Sequence, residues 1–216
     1  RTVRLATLES KGLDHVKNLA IQNLNDLLNI LKWNKEHDIY FYRLSSEMFP
    51  FASQPEHGYS IDFAKYLLGE IGHYAKSNGI RLTMHPSQYD VLSSPNENVV
   101  KNTILDLQHH ADILDKMELG KDSVMIIHGG GVYGNKEKAL ARLEKNISIL
   151  PQNVRDRLVL ENCEMSYCVE DLLPISEKLQ IPLVLDYHHD SIYQSSQPIE
   201  YYHERVFAVW NNRGIK

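Results

Sequence analysis

Five side chains of the kinds that bind metal ions stand at or just after the ends of short apolar runs: His85, His128, Glu161, Asp186 and His189. The first four each directly follow such a run, and His189 comes three residues after Asp186. If the runs are parallel strands of a barrel, their carboxyl ends all open into one mouth. Imidazole and carboxylate donors without a thiolate suit zinc or manganese, and carboxylates can bridge two ions. The pattern therefore predicts a divalent-metal centre.

The spacing from Asp186 to His189 places an acid and an imidazole on one short turn, where both can face the same mouth. His188 should then point the other way, as a packing residue or as a support for a ligand. A single buried histidine at a strand end is most often structural, but two histidines with two acids favour the metal interpretation.

Two further stretches have both a chemical and a structural interpretation. Gly129-Gly130-Gly131 could let the backbone approach a phosphate, or could simply permit a tight turn. Gln88-Tyr89, on the loop after the second strand, could wedge into a base stack, or the tyrosine could pack over the barrel rim. From the residues alone, the structural interpretation is favoured for the tyrosine and remains open for the glycines.

The chain of 216 residues is 43% apolar and 24% charged, which is typical of one soluble domain with ample core. No stretch approaches a membrane span, and the first residues show no signal-peptide core. Two cysteines cannot build a disulfide framework, so an intracellular, reducing compartment is expected. The net charge of −5 argues against a duplex-DNA binder, although bound divalent ions would neutralise some carboxylates.

Five predicted strands alternate with predicted helices along the chain. The strands are 39–44, 80–84, 123–128, 157–161 and 182–186, and the helices are 13–35, 61–77, 96–117, 136–150, 169–179 and 198–211. Residues 1–12 are predicted to be irregular and 187–197 to be a polar loop. This alternation indicates an α/β fold with parallel strands, either doubly wound or closed. The metal-type residues favour a TIM (β/α)8 barrel, because a closed ring brings consecutive strand ends together.

A complete barrel of this kind takes about 250 residues. We therefore expect residues 1–216 to form a single TIM-barrel catalytic domain that lacks the first strand and the last two, as a fragment of a longer protein. The sequence contains no internal repeat or low-complexity linker, and we expect a monomer.

Four segments that carry the metal-type residues closely resemble UV damage endonucleases, most of all the fungal form. They are 82–89 (LTMHPSQY), 127–131 (IHGGG, with a mild departure at its first glycine), 158–162 (LVLEN) and 181–189 (IPLVLDYHH). Further similarity runs through 1–5, 43–46 and 49–53, so the resemblance covers essentially the whole chain.

The resemblance implies a TIM barrel of the endonuclease IV and xylose isomerase type with a cluster of divalent ions, manganese favoured over magnesium or zinc. It implies incision of duplex DNA immediately 5′ to UV photoproducts, and at abasic sites, by metal-assisted hydrolysis that leaves a 3′-hydroxyl. The residues that match the family's metal-binding and catalytic positions are His85, His128, Glu161, Asp186 and His189. Gln88 and Tyr89 match the pair that probes the lesion by inserting into the duplex. UV-damaged DNA would be the partner, in the nucleus or the mitochondrion of a eukaryote.

Some parts of the family pattern fall outside the sequence. A Lys-x-His motif and a glutamate of the last strand would follow residue 216, and the first-strand loop would precede Arg1. We therefore expect an incomplete metal cluster and little nuclease activity from the fragment alone. Two other functions stay open: a sugar isomerase or epimerase of the same barrel superfamily, and a non-catalytic module that binds damaged DNA.

Overall fold

The computed structural model describes residues 1–215 and has an α/β fold whose strands pair in parallel. The strands are β1 (Phe41–Leu44), β2 (Arg81–Met84), β3 (Met125–His128), β4 (Leu158–Glu161) and β5 (Leu183–Val184). The helices are α1 (Leu5–Glu36), α2 (Lys65–Ser77), α3 (Glu97–Lys116), α4 (Lys136–Ser148), α5 (Gln152–Arg155), α6 (Val169–Leu179), α7 (Tyr187–Ile192) and α8 (His203–Asn212). The fold class expected from the sequence is confirmed, and residues 1–215 contain five strands, where a complete barrel has eight.

The described residues form two compact units. Unit 1 comprises Arg1–His85 and His109–Ser123, and unit 2 comprises Pro86–Gln108 and the chain from Val124 onward. No helix within residues 1–215 combines the length and the apolar character that a bilayer span requires.

In unit 1, β1 and β2 pair in register from Phe41 opposite Arg81 to Leu44 opposite Met84. The long helix α1 buries an apolar stripe at helical spacing, and its backbone is interrupted at Gly12, where φ is +77°. The prediction that residues 1–12 are irregular is wrong for the segment before this interruption, which is helical. That segment buries no side chain, so it lacks the apolar stripe by which a helix is recognised in sequence.

In unit 2, the three strands β3, β4 and β5 pair in parallel. All four residues of β4 are buried, which is typical of a strand covered on both faces. The register places His128 directly opposite Glu161, so the carboxyl ends of β3 and β4 lie at one level.

The segment after β5 differs from its predicted polar loop, because residues Tyr187–Ile192 form the helix α7. No residue of α7 is buried, so hydrophobic periodicity could not reveal it. The helix instead begins at a side-chain cap, in which the Asp186 carboxylate accepts a hydrogen bond from the backbone N–H of His189 at 2.8 Å. The predicted strand 182–186 is correspondingly shorter, since the chain turns into α7 directly after it.

Candidate metal centre

The centre begins with two residues at the ends of neighbouring strands in unit 2. His128 closes β3 and Glu161 closes β4, and the parallel register sets them side by side. The His128 Nε2 atom lies 3.5 Å from Oε2 of Glu161. Only 5% of the Glu161 surface is exposed, so its carboxylate is held away from bulk water.

The third and fourth residues come from the start of α7. Asp186 is the N-cap of this helix and His189 is its third residue, a spacing that sets both side chains on one side of the first turn. One Asp186 oxygen binds the His189 backbone N–H, and the other lies 3.5 Å from His189 Nδ1. The cap therefore explains in physical terms why an acid and an imidazole at this spacing meet. His188, by contrast, is exposed.

The orientation of the His189 ring follows from a contact with the backbone after β4. Its Nδ1 lies 2.9 Å from the carbonyl oxygen of Asn162. Because a carbonyl oxygen only accepts, Nδ1 carries a proton, and in the neutral ring Nε2 then keeps a lone pair. Nε2 lies 3.7 Å from a carboxylate oxygen of Glu164. Metal-binding histidines are typically oriented by such a hydrogen bond on the nitrogen that does not bind the ion.

Asn162 also fixes the position of Asp186. Its side-chain amide donates to the Asp186 carbonyl at 2.9 Å and accepts from the Asp186 N–H at 2.8 Å. The asparagine is almost completely buried, so both bonds are protected from competing water. One residue thus holds the backbone of Asp186 and the ring of His189.

Glu161, Asp186 and His189 each offer a ligand atom within 4.8 Å of the other two. Two carboxylate oxygens and one imidazole nitrogen form a donor set that suits manganese, magnesium or zinc. The His128 ring lies close by, its centroid 5.4 Å from that of His189. These residues of unit 2 can therefore hold a divalent cation.

A thiol beside the centre changes the electrostatics of His128. A hydrogen bond with the Cys163 side chain raises the pKa of His128, burial opposes the rise, and the Glu161 carboxylate adds to it. Burial alone would raise the pKa of the Cys163 thiol, but bonds from His128 and from backbone N–H groups lower it to about 7. Both cysteines are free and buried.

The sequence did not predict a role in the centre for three residues that lie there: Asn162, Cys163 and Glu164. All three directly follow Glu161, and the loop after a barrel strand is where site residues concentrate. Position was thus the only available signal, because an amide and a thiol here have no distinctive spacing.

The remaining predicted site residues lie around the end of β2. His85 is half-buried in unit 1, and its carbonyl accepts a hydrogen bond from the Ser46 hydroxyl at 3.0 Å. Its role as a metal ligand stays a prediction. Gln88 and Tyr89 are exposed in unit 2, and Tyr89 keeps 76% of its surface accessible, so its ring is not packed into the core.

The glycine run after β3 has a packing explanation. Gly130 has φ of +88°, and a Cβ there would lie 2.5 Å from Ser93 Oγ and from Val91 Cγ1. A Cβ on Gly129 would lie 2.7 Å from the Tyr167 ring. The glycines therefore let this loop lie directly against its neighbours.

A model of the family described as UV-endonuclease UvdE matches residues 1–216. The UV-damage endonuclease of Schizosaccharomyces pombe is 46% identical over 196 residues, which is 89% of this chain and 33% of the relative. A putative UV-damage endonuclease of Acanthamoeba polyphaga mimivirus is 42% identical over 217 residues, which is 98% of this chain and 66% of the relative. The chain thus spans between a third and about two thirds of the length of these relatives.

Among solved structures, the crystal structure of SacUVDE superposes with a TM-score of 0.90 at 38% identity, over 97% of this chain and 71% of the other. A D-psicose 3-epimerase from Clostridium cellulolyticum H10 has a TM-score of 0.56 at 17% identity, over 80% of this chain and 62% of the other. The second likeness is one of fold alone. Together they confirm the predicted relationship to TIM barrels.

Proposed function

The chain belongs to the UV-endonuclease family UvdE, and from this premise we propose that the protein cuts UV-damaged duplex DNA. The names of its relatives in a fungus and a virus support this activity, as does the close likeness to SacUVDE. The observation that carries the proposal is the convergence of Glu161, Asp186 and His189 within 4.8 Å of one another at adjacent strand ends. A divalent cation held there could activate a water molecule for the hydrolysis of a phosphodiester and neutralise charge on the phosphate.

We assign the role of metal ligand and catalytic residue to five positions: His85, His128, Glu161, Asp186 and His189. Manganese is the proposed ion, with magnesium or zinc as the other choices, and we propose a cluster of more than one ion. Bound there, divalent ions would supply an activated water and neutralise charge on the phosphate.

The chain's own residues prepare the centre for that chemistry. Asn162 and the cap at Asp186 fix the His189 ring so that its Nε2 lone pair is available, which avoids reorganisation when an ion binds. The burial of Glu161 keeps its carboxylate in a poorly hydrated environment, where charges interact more strongly than in water. The proposed incision lies immediately 5′ to the photoproduct, and at abasic sites, and leaves a 3′-hydroxyl.

Lesion recognition is assigned to the exposed pair Gln88 and Tyr89. An accessible aromatic ring beside a polar side chain can enter a base stack, as minor-groove wedges do. A duplex weakened by a photoproduct requires less energy to kink and unstack than a sound one, so insertion would select damaged sites. The proposed places of action are those that hold DNA, the nucleus or the mitochondrion in a eukaryote.

The test is the nicking of UV-irradiated supercoiled plasmid with manganese, beside unirradiated plasmid and a chelator control. Glu161→Gln removes one carboxylate from the centre with almost no change in shape, and we expect it to abolish nicking while damaged DNA is still bound. Glu177→Gln is the matched control, because this glutamate pairs with Arg205 on an exposed surface.

Damage-dependent nicking that the chelator and Glu161→Gln abolish, and that Glu177→Gln leaves intact, supports the proposal. Equal nicking of irradiated and unirradiated plasmid contradicts it. Binding of the lesion without incision would favour a damage-binding module, and activity on a ketose without nicking would favour a sugar enzyme.

A further inference from the structure

The loop that follows β2 has an exposed tip and a buried base. Residues 87–89 are exposed, and this tip includes Gln88 and Tyr89. Leu92 and Ser93, only a few residues further along, have no exposed surface at all. A buried base needs partners for its backbone groups, and those partners lie outside the loop.

Two of the partners come from one face of α4. The guanidinium Nε of Arg142 donates to the Ser93 carbonyl at 2.7 Å, and the Asn146 amide donates to the Leu92 carbonyl at 2.7 Å. Arg142 and Asn146 are four residues apart, so side chains on successive turns of the helix bind the carbonyl groups of two consecutive loop residues. Arg142 also lies 5.7 Å from the ring of Tyr133 in the loop after β3.

The third partner is Thr103 on α3, whose buried hydroxyl accepts a hydrogen bond from the Val91 N–H at 3.0 Å. A fourth contact joins the loop to its neighbour, since the Ser93 hydroxyl donates to the Gly131 carbonyl at 3.2 Å. Three consecutive residues, 91–93, are therefore bonded to side chains of two helices, and all the groups lie in unit 2.

We propose that Arg142, Asn146 and Thr103 are positioning residues that fix the tip of the loop, which bears Gln88 and Tyr89. They thereby determine the ratio of the affinities for damaged and undamaged duplex DNA. This inference rests on the proposed function. A side chain that inserts between stacked bases gives tighter binding if its loop is already ordered in the free protein. The entropy of ordering the loop is then lost during folding and not during binding. If the base of the loop is rigid, the stacked bases of an undamaged duplex also cannot easily push the tip of the loop aside.

A double-mutant cycle separates this role from a purely structural one. The dissociation constants of duplexes with and without one photoproduct are measured by fluorescence anisotropy in chelator, on the protein as it is naturally made. Four forms are compared: wild type, Arg142→Ala, Tyr89→Ala and the double variant. If Arg142 acts through the tip, its removal has no further effect once Tyr89 is gone.

We expect Arg142→Ala to weaken binding of damaged duplex about tenfold and of undamaged duplex less than about twofold, with no further loss beyond about twofold in the Tyr89→Ala background. Lys145→Ala removes an equal charge from an exposed position of the same helix and should leave the discrimination unchanged. Arg142→Lys, which keeps a charged donor, should restore part of it.

If Arg142→Ala does not fold, Asn146→Asp and Thr103→Val test the same base with isosteric changes, each of which removes one hydrogen bond to the loop. Additive effects of Arg142→Ala and Tyr89→Ala, or equal weakening on both duplexes, would overturn the inference while leaving the proposed function standing. A wild-type protein that shows no preference for damaged duplex would overturn both.

Discussion

Replacing Asn162 by leucine should loosen the metal centre without touching any proposed ligand. The asparagine is 1% exposed and bonds both backbone groups of Asp186, at 2.8 Å for the N–H and 2.9 Å for the carbonyl. Leucine has the same branching and the same number of side-chain heavy atoms but no polar atom, so both groups would lose their partner. The turn that presents Asp186 and His189 would then be free to shift.

The magnitude follows from the two lost hydrogen bonds. A buried backbone group left without a partner costs about 1–3 kcal/mol, and Asp186 is half-buried, so the two together should lower the free energy of unfolding by about 2–3 kcal/mol. Loss of an outer support of a metal ligand typically lowers metal affinity about 10- to 100-fold, and we expect manganese affinity to fall by that factor.

The assay combines urea denaturation with calorimetric titration of manganese. Asn78→Leu is the matched control, because Asn78 makes one side-chain bond, to the Tyr74 carbonyl at 2.8 Å, at the end of α2 in unit 1. It should destabilise the protein and leave manganese affinity unchanged. If Asn162→Leu lowered stability but bound manganese as tightly as the wild type, Asn162 would not position the metal ligands.

Three further predictions concern protons, glycines and the ion itself. The hydrogen bond with Cys163 raises the pKa of His128, and only the neutral ring can bind an ion. Manganese affinity should therefore decrease as the pH falls through that raised pKa. An affinity for manganese that stays constant between pH 8 and about 5.5 would contradict this expectation. Gly130→Ala should lower the free energy of unfolding by more than about 2 kcal/mol, because the new Cβ clashes with Ser93 at a residue whose φ is positive. Gly134 also has a positive φ but has open space around it, so Gly134→Ala should lower the free energy of unfolding by only about 1 kcal/mol. Equal losses for the two variants in urea denaturation would argue against the clash. Manganese at about 100 times its dissociation constant should raise the free energy of unfolding by about 2.7 kcal/mol. Thermal melting with manganese and with chelator measures this difference. An unchanged melting temperature would show that no ion binds the native state.

The strand ends were predictable from sequence because they combine two local signals. An apolar run that stops at a polar residue marks the end of a buried strand, and His128 and Glu161 were correctly placed at such ends. Their adjacency then follows from parallel pairing, which needs no knowledge of the side chains. The alternation of strands with helices likewise indicated an α/β fold, and the metal-type residues at the strand ends favoured a closed barrel over a doubly wound sheet.

The parts that could not be predicted depend on capping and on distant contacts. Helix α7 buries no residue, so hydrophobic periodicity gives no signal and only the cap at Asp186 indicates it. The roles of Asn162 and Arg142 depend on carbonyl groups 24 and 49 residues away in sequence, and no local pattern encodes those distances. The glycine run could be read as a phosphate loop or as a turn until the neighbours of Gly130 were known.

The most direct test of the central claim uses a labelled duplex with one photoproduct at a defined position, incubated with manganese and resolved at single-nucleotide resolution. We expect one cut immediately 5′ to the lesion in the wild type, with a 3′ end that a polymerase extends. Glu161→Gln should bind this duplex and leave it whole. Cutting at positions unrelated to the lesion, or cutting that persists in Glu161→Gln, would show that the protein is not a metal-dependent endonuclease directed by UV damage.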